Sequence, residues 1–223
     1  MGWASILRTL IWKEVLAEWR SRDALASMFF FSVVALLIFN FALDLSPVEM
    51  QDVIPGILWV TFVFAALLGL NRSFQRERDQ GSLDGLMLIP APRGLIYVAK
   101  LVGNFVFLTI IELCALPVLI ILYNITIPWL LLPILLLGTL GVSASGTIFA
   151  AMASNSRLRD VLLPLMLLPI IVPLLVGAVQ ATGVVLDPNP ILSDAQPAIL
   201  LMIAFDSIFV TLSYLLFDFV LEQ

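Results

Sequence analysis

Histidine is absent from the sequence, and Cys114 is the only cysteine. Without histidine the chain lacks the commonest general base, the commonest metal ligand and the commonest axial ligand of haem iron. A single cysteine excludes a disulfide within the chain and a multi-cysteine metal site. Because Cys114 lies in an apolar run, we interpret it as a small core residue rather than a nucleophile.

Motifs for nucleotide binding and catalysis are also missing. No Gly-x4-Gly-Lys-Ser/Thr phosphate loop occurs, so the chain cannot bind ATP in the P-loop manner. No Ser/His or Cys/His pair and no metal-ligand cluster is present, and the basic residues lack the aromatic interleaving of a nucleic-acid surface. The sequence therefore predicts a non-catalytic chain that binds no metal and no nucleic acid. An intramembrane enzyme would have only isolated carboxylates to work with.

Charge is scarce, and apolar residues are in surplus. Only 12% of the 223 residues are charged and 61% are hydrophobic, against about 25% and 45–50% in soluble domains. This surplus does not fit inside one compact core, and spans of about 20 residues nearly use up the chain. We predict an all-α membrane protein with a single transmembrane domain over residues 1–223 and six transmembrane helices. The predicted spans are roughly 24–43, 54–70, 95–122, 128–153, 161–181 and 198–220.

The few charges are sorted by sign. All eleven basic residues fall at the N-terminus, in the loop after the second span or its flank, or in the loop after the fourth span. They are Arg8, Lys13, Arg20, Arg22, Arg72, Arg76, Arg78, Arg93, Lys100, Arg157 and Arg159. The other three loops carry acids instead, at Asp44, Glu49, Asp52, Asp187 and Asp194. Since Lys and Arg stay on the cytoplasmic side, the pattern predicts that both termini are cytoplasmic.

The N-terminal segment 3–22 has apolar residues at helical spacing, from Trp3 to Ile11. Charged residues interrupt this segment, so it is not a cleavable signal peptide. Glu14 and Glu18 fall on its apolar stripe, so the amphipathicity is imperfect. We interpret the segment as an interfacial helix with three tryptophans at headgroup level. These are Trp3, Trp12 and Trp19. The alternative is an ordinary cytoplasmic helix.

Residues 71–94 form the longest loop, and the charge rule places it in the cytoplasm. Leu83, Leu86 and Met87 recur at i, i+3 and i+4, which predicts a short amphipathic helix. Ser82 can cap this helix, and Pro90 stops it. The helix would present leucine and methionine side chains to a cytoplasmic partner, or it would rest on the bilayer.

Glu112 and Asp206 lie inside predicted spans. A charged carboxylate at mid-bilayer costs about 2.5–3.5 kcal/mol, so each should face another helix, face a wet cavity or be protonated. For Glu112 we favour a lining residue of a translocation or partner surface. The alternative is an acid near a membrane interface that is hydrogen-bonded to a neighbouring Ser, Thr or Asn. For Asp206 both interpretations stay open.

Two spans have unusual compositions. Pro164, Pro169 and Pro173 leave backbone carbonyls without intrahelical partners, so the fifth span should be broken or kinked and buried against other helices. These prolines predict either a hinge or a static kink. The fourth span is rich in glycine and serine between Gly138 and Thr147, which we interpret as tight helix packing rather than a ligand site.

The pattern Glu77-x3-Gly81-Ser82-Leu83-x2-Leu86-x3-Pro90 resembles the signature between the second and third spans of ABC-2 type exporter permeases. In that family the segment holds a coupling helix that docks into the ATP-binding subunit. The resemblance implies an ABC-2 exporter-like permease with an ATPase-coupling segment. Its coupling residues would be Glu77, Gln80, Gly81, Ser82, Leu83, Leu86 and Met87.

A broader resemblance, to the CcmB family, covers most of the chain. It is carried by Glu18-Trp19-Arg20-Ser21-Arg22-Asp23, by Pro55-Gly56-x-Leu58-Trp59-Val60, by Gly81-Ser82-Leu83-Asp84 and by the prolines of the fifth span. CcmB proteins are permease subunits of the haem exporter ABC complex of cytochrome c maturation, in the bacterial cytoplasmic (inner) membrane. The fourth span and residues 182–197 match nothing in the family residue by residue.

The resemblance also implies partners. They are a second copy of the chain, the ATP-binding subunit CcmA, the proteins CcmC and CcmD, and the haem chaperone CcmE. ATP would be bound by the partner subunit, and haem would be handled by the complex, which would export haem or use ATP to release the haem-loaded chaperone. The absence of histidine slightly favours release. The alternatives are a permease for lipid, polysaccharide or drug, and a scaffold that only anchors partners.

Overall fold

A computed structural model describes residues 3–19, 22–43, 47–79, 92–154, 156 and 158–221. This part of the chain forms seven helices and no strand. They are α1 (Trp3–Trp19), α2 (Arg22–Ala42), α3 (Pro47–Asp79), α4 (Arg93–Tyr123), α5 (Leu131–Ser154), α6 (Arg159–Leu186) and α7 (Leu192–Leu221). Six of them, α2 to α7, are long and apolar enough to cross a membrane. The predicted all-α fold with six spans is confirmed.

Hydrogen bonds identify the two ends of the helix bundle. At one end, Asn40 donates to the Leu122 carbonyl and Tyr123 donates to the Leu36 carbonyl, which joins the last turns of α2 and α4. At the other end, Arg93 at the start of α4 donates to the Asp218 carbonyl near the end of α7. We call the end that contains Arg93 the basic end, and the other the opposite end.

Helix α5 lies at the centre of the bundle. Most of its span is buried (78%), whereas α2 and α7 are buried over only 22% of theirs. Its glycines let neighbouring side chains touch the backbone, and a Cβ added at Gly146 would collide with a methyl carbon of Leu70. The run from Gly138 to Thr147 therefore packs tightly, as the composition predicts.

The outward faces of the bundle are apolar. Phe30, Phe41 and Ile121 are largely exposed, as expected where lipid replaces water as the solvent. Cys114 is also exposed, so the prediction that it belongs to the core is wrong. An apolar run in a span does not indicate which residues face protein, because lipid accepts apolar side chains equally well.

Two predicted loops are shorter than expected. Helix α3 does not end at Leu70 but continues to Asp79, so the first part of the 71–94 loop is helical. Its residues are mostly Arg, Gln and Glu, which favour helix once the chain has left the bilayer. The loop predicted over 183–196 spans only residues between Leu186 and Leu192. Pro197 is accommodated inside α7 near its start, where a proline removes only one hydrogen bond.

Helix α6 runs without interruption from Arg159 to Leu186 through its three prolines. The helix is therefore not broken, and a kink within it stays a prediction. Pro169 and Pro173 are exposed, so at these two positions the span is not buried against other helices. Each proline removes one backbone donor, and the remaining hydrogen bonds of a long helix keep it continuous. Whether these positions act as a hinge stays a prediction.

Candidate functional site

Side chains from four helices converge on one turn of α5, from Gly138 to Gly141. Trp59 comes from α3, Glu112 from α4, Leu174 from α6 and Asp206 from α7. We call these four side chains, together with residues 138–141 of α5, the polar layer, because two of the four side chains are carboxylic acids. It lies nearer the opposite end of the bundle, because Gly138 follows the start of α5 at Leu131 by only two turns.

Trp59 is the largest fully buried side chain in the described part of the chain. Its indole N–H donates a 2.9 Å hydrogen bond to the Thr182 hydroxyl on α6. Its ring fills the space in which a side chain at Gly138 would lie, so that an added Cβ would collide with Cη2 of the indole. Trp59 therefore packs against α5 and is hydrogen-bonded to α6, which joins α3 to both helices. Sequence reasoning found this residue only through the family resemblance, because a tryptophan in a span more often marks an interface.

Glu112 is buried against α5. Its Oε2 lies 2.5 Å from the Thr139 hydroxyl, which also lies 2.7 Å from the Leu135 carbonyl. A hydroxyl has one proton and cannot donate to both acceptors at once. A protonated Glu112 would satisfy both contacts, since it could donate to Thr139 while Thr139 donates to Leu135. This geometry provides the hydrogen bond to a threonine that the alternative interpretation expects, and the role of Glu112 stays a prediction.

Asp206 is 5% exposed, and neither carboxylate oxygen has a hydrogen-bond partner among the described residues. Its Oδ1 faces the backbone of Gly141, where an added Cβ would lie only 2.5 Å away. An ionised carboxylate without a partner is costly at this depth. Asp206 packs against α5 here, and both interpretations of its role stay open.

A second group of polar contacts joins α4 to α5 nearer the basic end. The Tyr97 hydroxyl donates to the Ala144 carbonyl at 3.2 Å. The Asn104 amide donates to the Thr147 hydroxyl at 2.9 Å. All four residues are buried, so these bonds fix the first third of α4 on the central helix.

Helix α1 packs on α4 rather than lying free. Its Glu14 is buried and forms an ion pair with Lys100 of α4, with 3.4 Å between Nζ and Oε2. Trp3, Trp12 and Trp19 are all exposed. Whether α1 lies at the membrane interface or is an ordinary cytoplasmic helix stays a prediction.

The remaining interfacial residues are only partly described. Asp23 is exposed in the first turn of α2, where its carbonyl accepts a hydrogen bond from Ser27. Glu18 lies in α1 and Arg22 begins α2, while Arg20 lies outside the described residues.

The predicted coupling segment falls largely outside the described residues. Glu77 lies in the last turns of α3, and Gln80, Gly81, Ser82, Leu83, Leu86 and Met87 lie outside. The described flanks are Asp79, where α3 ends, and Arg93, where α4 begins. Because Arg93 belongs to the basic end, the coupling segment enters α4 at that end.

A cavity of about 460 Å³ opens at the opposite end, between the loop 124–128, the start of the α3 span at Ile54, and residues 185–190. Asn124 ends α4 in a left-handed conformation with φ of 48°, which asparagine adopts more readily than most residues. Asp187 lines the cavity and accepts a 2.7 Å hydrogen bond from the Asn189 amide. Sequence reasoning did not predict this cavity, because two loops distant in sequence form it.

Comparisons with known proteins agree with this architecture. Residues 5–219 match the family model described as CcmB protein. The chain is similar to Heme exporter protein B of Haemophilus influenzae, with 30% identity over 78% of this chain and 79% of the relative. It is also similar to Heme exporter protein B of Pseudomonas aeruginosa, with 29% identity over 80% and 82% of the two chains. A match to the Rhodobacter capsulatus protein of the same name is 35% identical but shorter, covering 54% and 56%. The chain belongs to the CcmB protein family.

Proposed function

We propose that this chain is the membrane-spanning permease subunit of a haem export system for cytochrome c maturation. The observation that carries this proposal is the family match over residues 5–219. The relatives over most of the chain are named Heme exporter protein B, and the six candidate spans suit a permease.

The chain itself is non-catalytic in this proposal. It has no phosphate loop, so a separate ATP-binding subunit, CcmA, hydrolyses ATP. That subunit docks on the coupling segment, through Leu83, Leu86 and Met87. Two described features favour the docking: α3 continues as a charged helix to Asp79, and α4 begins at the basic end.

The basic end faces the cytoplasm of a bacterial cell, across the inner membrane. The support is the sorting of all eleven Lys and Arg residues away from the other three loops. CcmC, CcmD and the haem chaperone CcmE are the further partners that membership of this family suggests.

A second copy of the chain completes the permease. Around the polar layer, Trp59, Glu112, Leu174 and Asp206 fill the space beside α5. A haem group would therefore move along the surface of the chain or between two chains, rather than through the centre of one. Release of a haem-loaded chaperone, driven by ATP, would need no passage for haem through the chain.

Affinity purification in mild detergent tests the proposal. We expect the wild-type chain to recover an ATP-binding subunit together with haem proteins. Leu83→Asp should lose the ATP-binding subunit, because a buried charge in an apolar docking surface is costly. Leu192→Asp is the matched control: Leu192 is exposed at the opposite end, so this variant should keep the subunit.

Two results would contradict the proposal. If Leu83→Asp keeps a bound and coupled ATPase, the docking assignment is wrong. If the wild-type chain recovers an ATPase but no haem protein, a permease for lipid, polysaccharide or drug becomes the better explanation.

A further inference from the structure

Both lysines of the chain contact one carboxylate. Lys13 Nζ lies 3.0 Å from Glu14 Oε1, and Lys100 Nζ lies 3.4 Å from Glu14 Oε2. The two lysines differ in exposure: the Lys13 side chain is 39% exposed, whereas those of Lys100 and Glu14 are 1% and 6% exposed. The Glu14–Lys100 contact is thus a buried ion pair between α1 and α4.

A buried ion pair is a poor way to gain stability. Desolvation of two charges offsets most of their attraction, and apolar side chains of similar volume often stabilise a protein as well or better. Such a pair does specify one register, because any sliding of one helix leaves two buried charges separated. The other side chains of α1 that pack on the core include Ile6, Leu7 and Ile11, and such apolar contacts carry no charge that opposes sliding.

Gly103 favours the same register of α1 on α4. It lies one turn after Lys100 on the same helix, and a Cβ there would come within 2.9 Å of the Glu14 Cβ. The absence of a side chain therefore forms a notch that receives Glu14, beside the lysine that pairs with it. Charge and shape select the same register.

The part of α4 that holds α1 is also the part fixed to α5. Tyr97 and Asn104 bond the central helix, one turn before and one turn after Lys100. This stretch begins just after Arg93, where the coupling segment joins α4. This stretch of α4 is therefore bound to α1 on one side and to α5 on the other.

We propose that the Glu14–Lys100 pair fixes the register of α1 on α4. The interfacial helix then moves together with α4 when the coupling segment is displaced. Glu14 and Lys100 are positioning residues, and α1 transmits force rather than only anchoring the chain at the membrane surface. The transmission rests on the proposed function, whereas the register does not.

Amine labelling in inside-out membrane vesicles tests the register without any partner. Quantitative peptide analysis measures the labelled fraction of Lys100 in each variant, and labelling of the more exposed Lys13 shows that the reagent reached this end of the chain. We expect little labelling of Lys100 in the wild-type chain. Glu14→Gln should raise the labelled fraction of Lys100 by about tenfold or more, because breaking a buried pair is strongly destabilising. Equal labelling of the two lysines in the wild-type chain would overturn the register.

A set of paired variants tests the transmission. Glu14→Gln and Lys100→Met each break the pair. The combination Glu14→Met with Lys100→Met replaces it by apolar packing, and Glu14→Lys with Lys100→Glu reverses it. Each variant is scored for membrane abundance, for the amount of bound ATP-binding subunit, and for ATP-driven haem output per bound subunit.

We expect the reversed pair to recover both abundance and output relative to the single variants. The Met/Met chain should recover abundance, because apolar side chains can replace a buried ion pair without loss of stability. Its output should stay several-fold below wild type, because the proposed charge selection of one register is lost. Full recovery of output by the Met/Met chain would overturn the transmission, because the pair would then serve stability alone. If the wild-type chain binds no ATPase while Lys100 stays protected, the proposed function and the transmission both fail and the register stands.

Discussion

At the scale of single residues, Gly138 sets how closely Trp59 can approach α5. The indole is 1% exposed and its N–H is bonded to Thr182, so the ring has little freedom to move away. Close approach of this kind depends on the missing side chain, as at other small-residue contacts between membrane helices.

We predict that Gly138→Ala destabilises the bundle by about 1–3 kcal/mol, the range typical of overpacking. The measurement is the thermal midpoint of the purified chain in detergent. Gly56→Ala is the matched control, because a Cβ at Gly56 would meet nothing within 4 Å. Gly56→Ala should leave the stability of the bundle unchanged or raise it by up to about 1 kcal/mol, because alanine has the higher helix propensity. An equal loss in both variants would show that Gly138 has no special contact.

The second prediction separates the two interpretations of Glu112. A glutamine at this position can donate its amide N–H to Thr139 while Thr139 donates to the Leu135 carbonyl. We therefore expect Glu112→Gln to keep normal membrane abundance and ATP-driven output, and Glu112→Leu to lower abundance. If Glu112→Gln is abundant but inactive, an ionised carboxylate is required, and the lining-residue hypothesis is correct.

The sequence predicts where these acids lie but not what they touch. Glu112 and Asp206 are recognisable because charge is rare in spans. Their neighbours Thr139 and Gly141 lie on α5, and only the packing of the helices brings them together. In the same way, Glu14 interrupts an apolar stripe in the sequence, while its partner Lys100 lies far along the chain.

At the scale of helices, composition locates every span, whereas several helices extend beyond the predicted spans. The centres of spans are set by about 20 apolar residues that must cross the bilayer. Their ends depend on whether the emerging chain keeps its helical hydrogen bonds, which α3 does as far as Asp79 and α6 as far as Leu186. Hydropathy carries no information on that choice.

The third prediction concerns the prolines of α6. Pro169 and Pro173 are exposed in a continuous helix, so Pro169→Ala with Pro173→Ala removes no buried contact and adds two backbone donors. We expect unchanged abundance and a several-fold lower ATP-driven output, because the helix would lose a point at which it can bend. Leu165→Ala on the same helix, whose side chain is 66% exposed, is the control for a change on the outward face. Unchanged output in the double variant would mean that the prolines form a static feature.

At the scale of the whole molecule, the orientation of the chain in the membrane is inferred from the distribution of Lys and Arg residues among the loops. The two ends of the bundle defined by hydrogen bonds agree with that sorting: Arg93 and the Glu14–Lys100 pair lie at one end, and Asp187 lines a cavity at the other. The coupling segment, the interfacial helix and the proposed ATPase docking surface all belong to the basic end. The proposed docking of an ATPase therefore requires that the basic end faces the cytoplasm.

Thiol labelling of single-cysteine variants measures that compartment directly. In a chain with Cys114→Ser, a cysteine replaces either Arg76 beside the coupling segment or Asp187 at the opposite end, and intact cells are treated with a membrane-impermeant maleimide. We expect labelling at position 187 in intact cells, and at position 76 only after the inner membrane is permeabilised. Labelling at position 76 in intact cells would contradict a cytoplasmic basic end, because the coupling segment would then face away from cytoplasmic ATP.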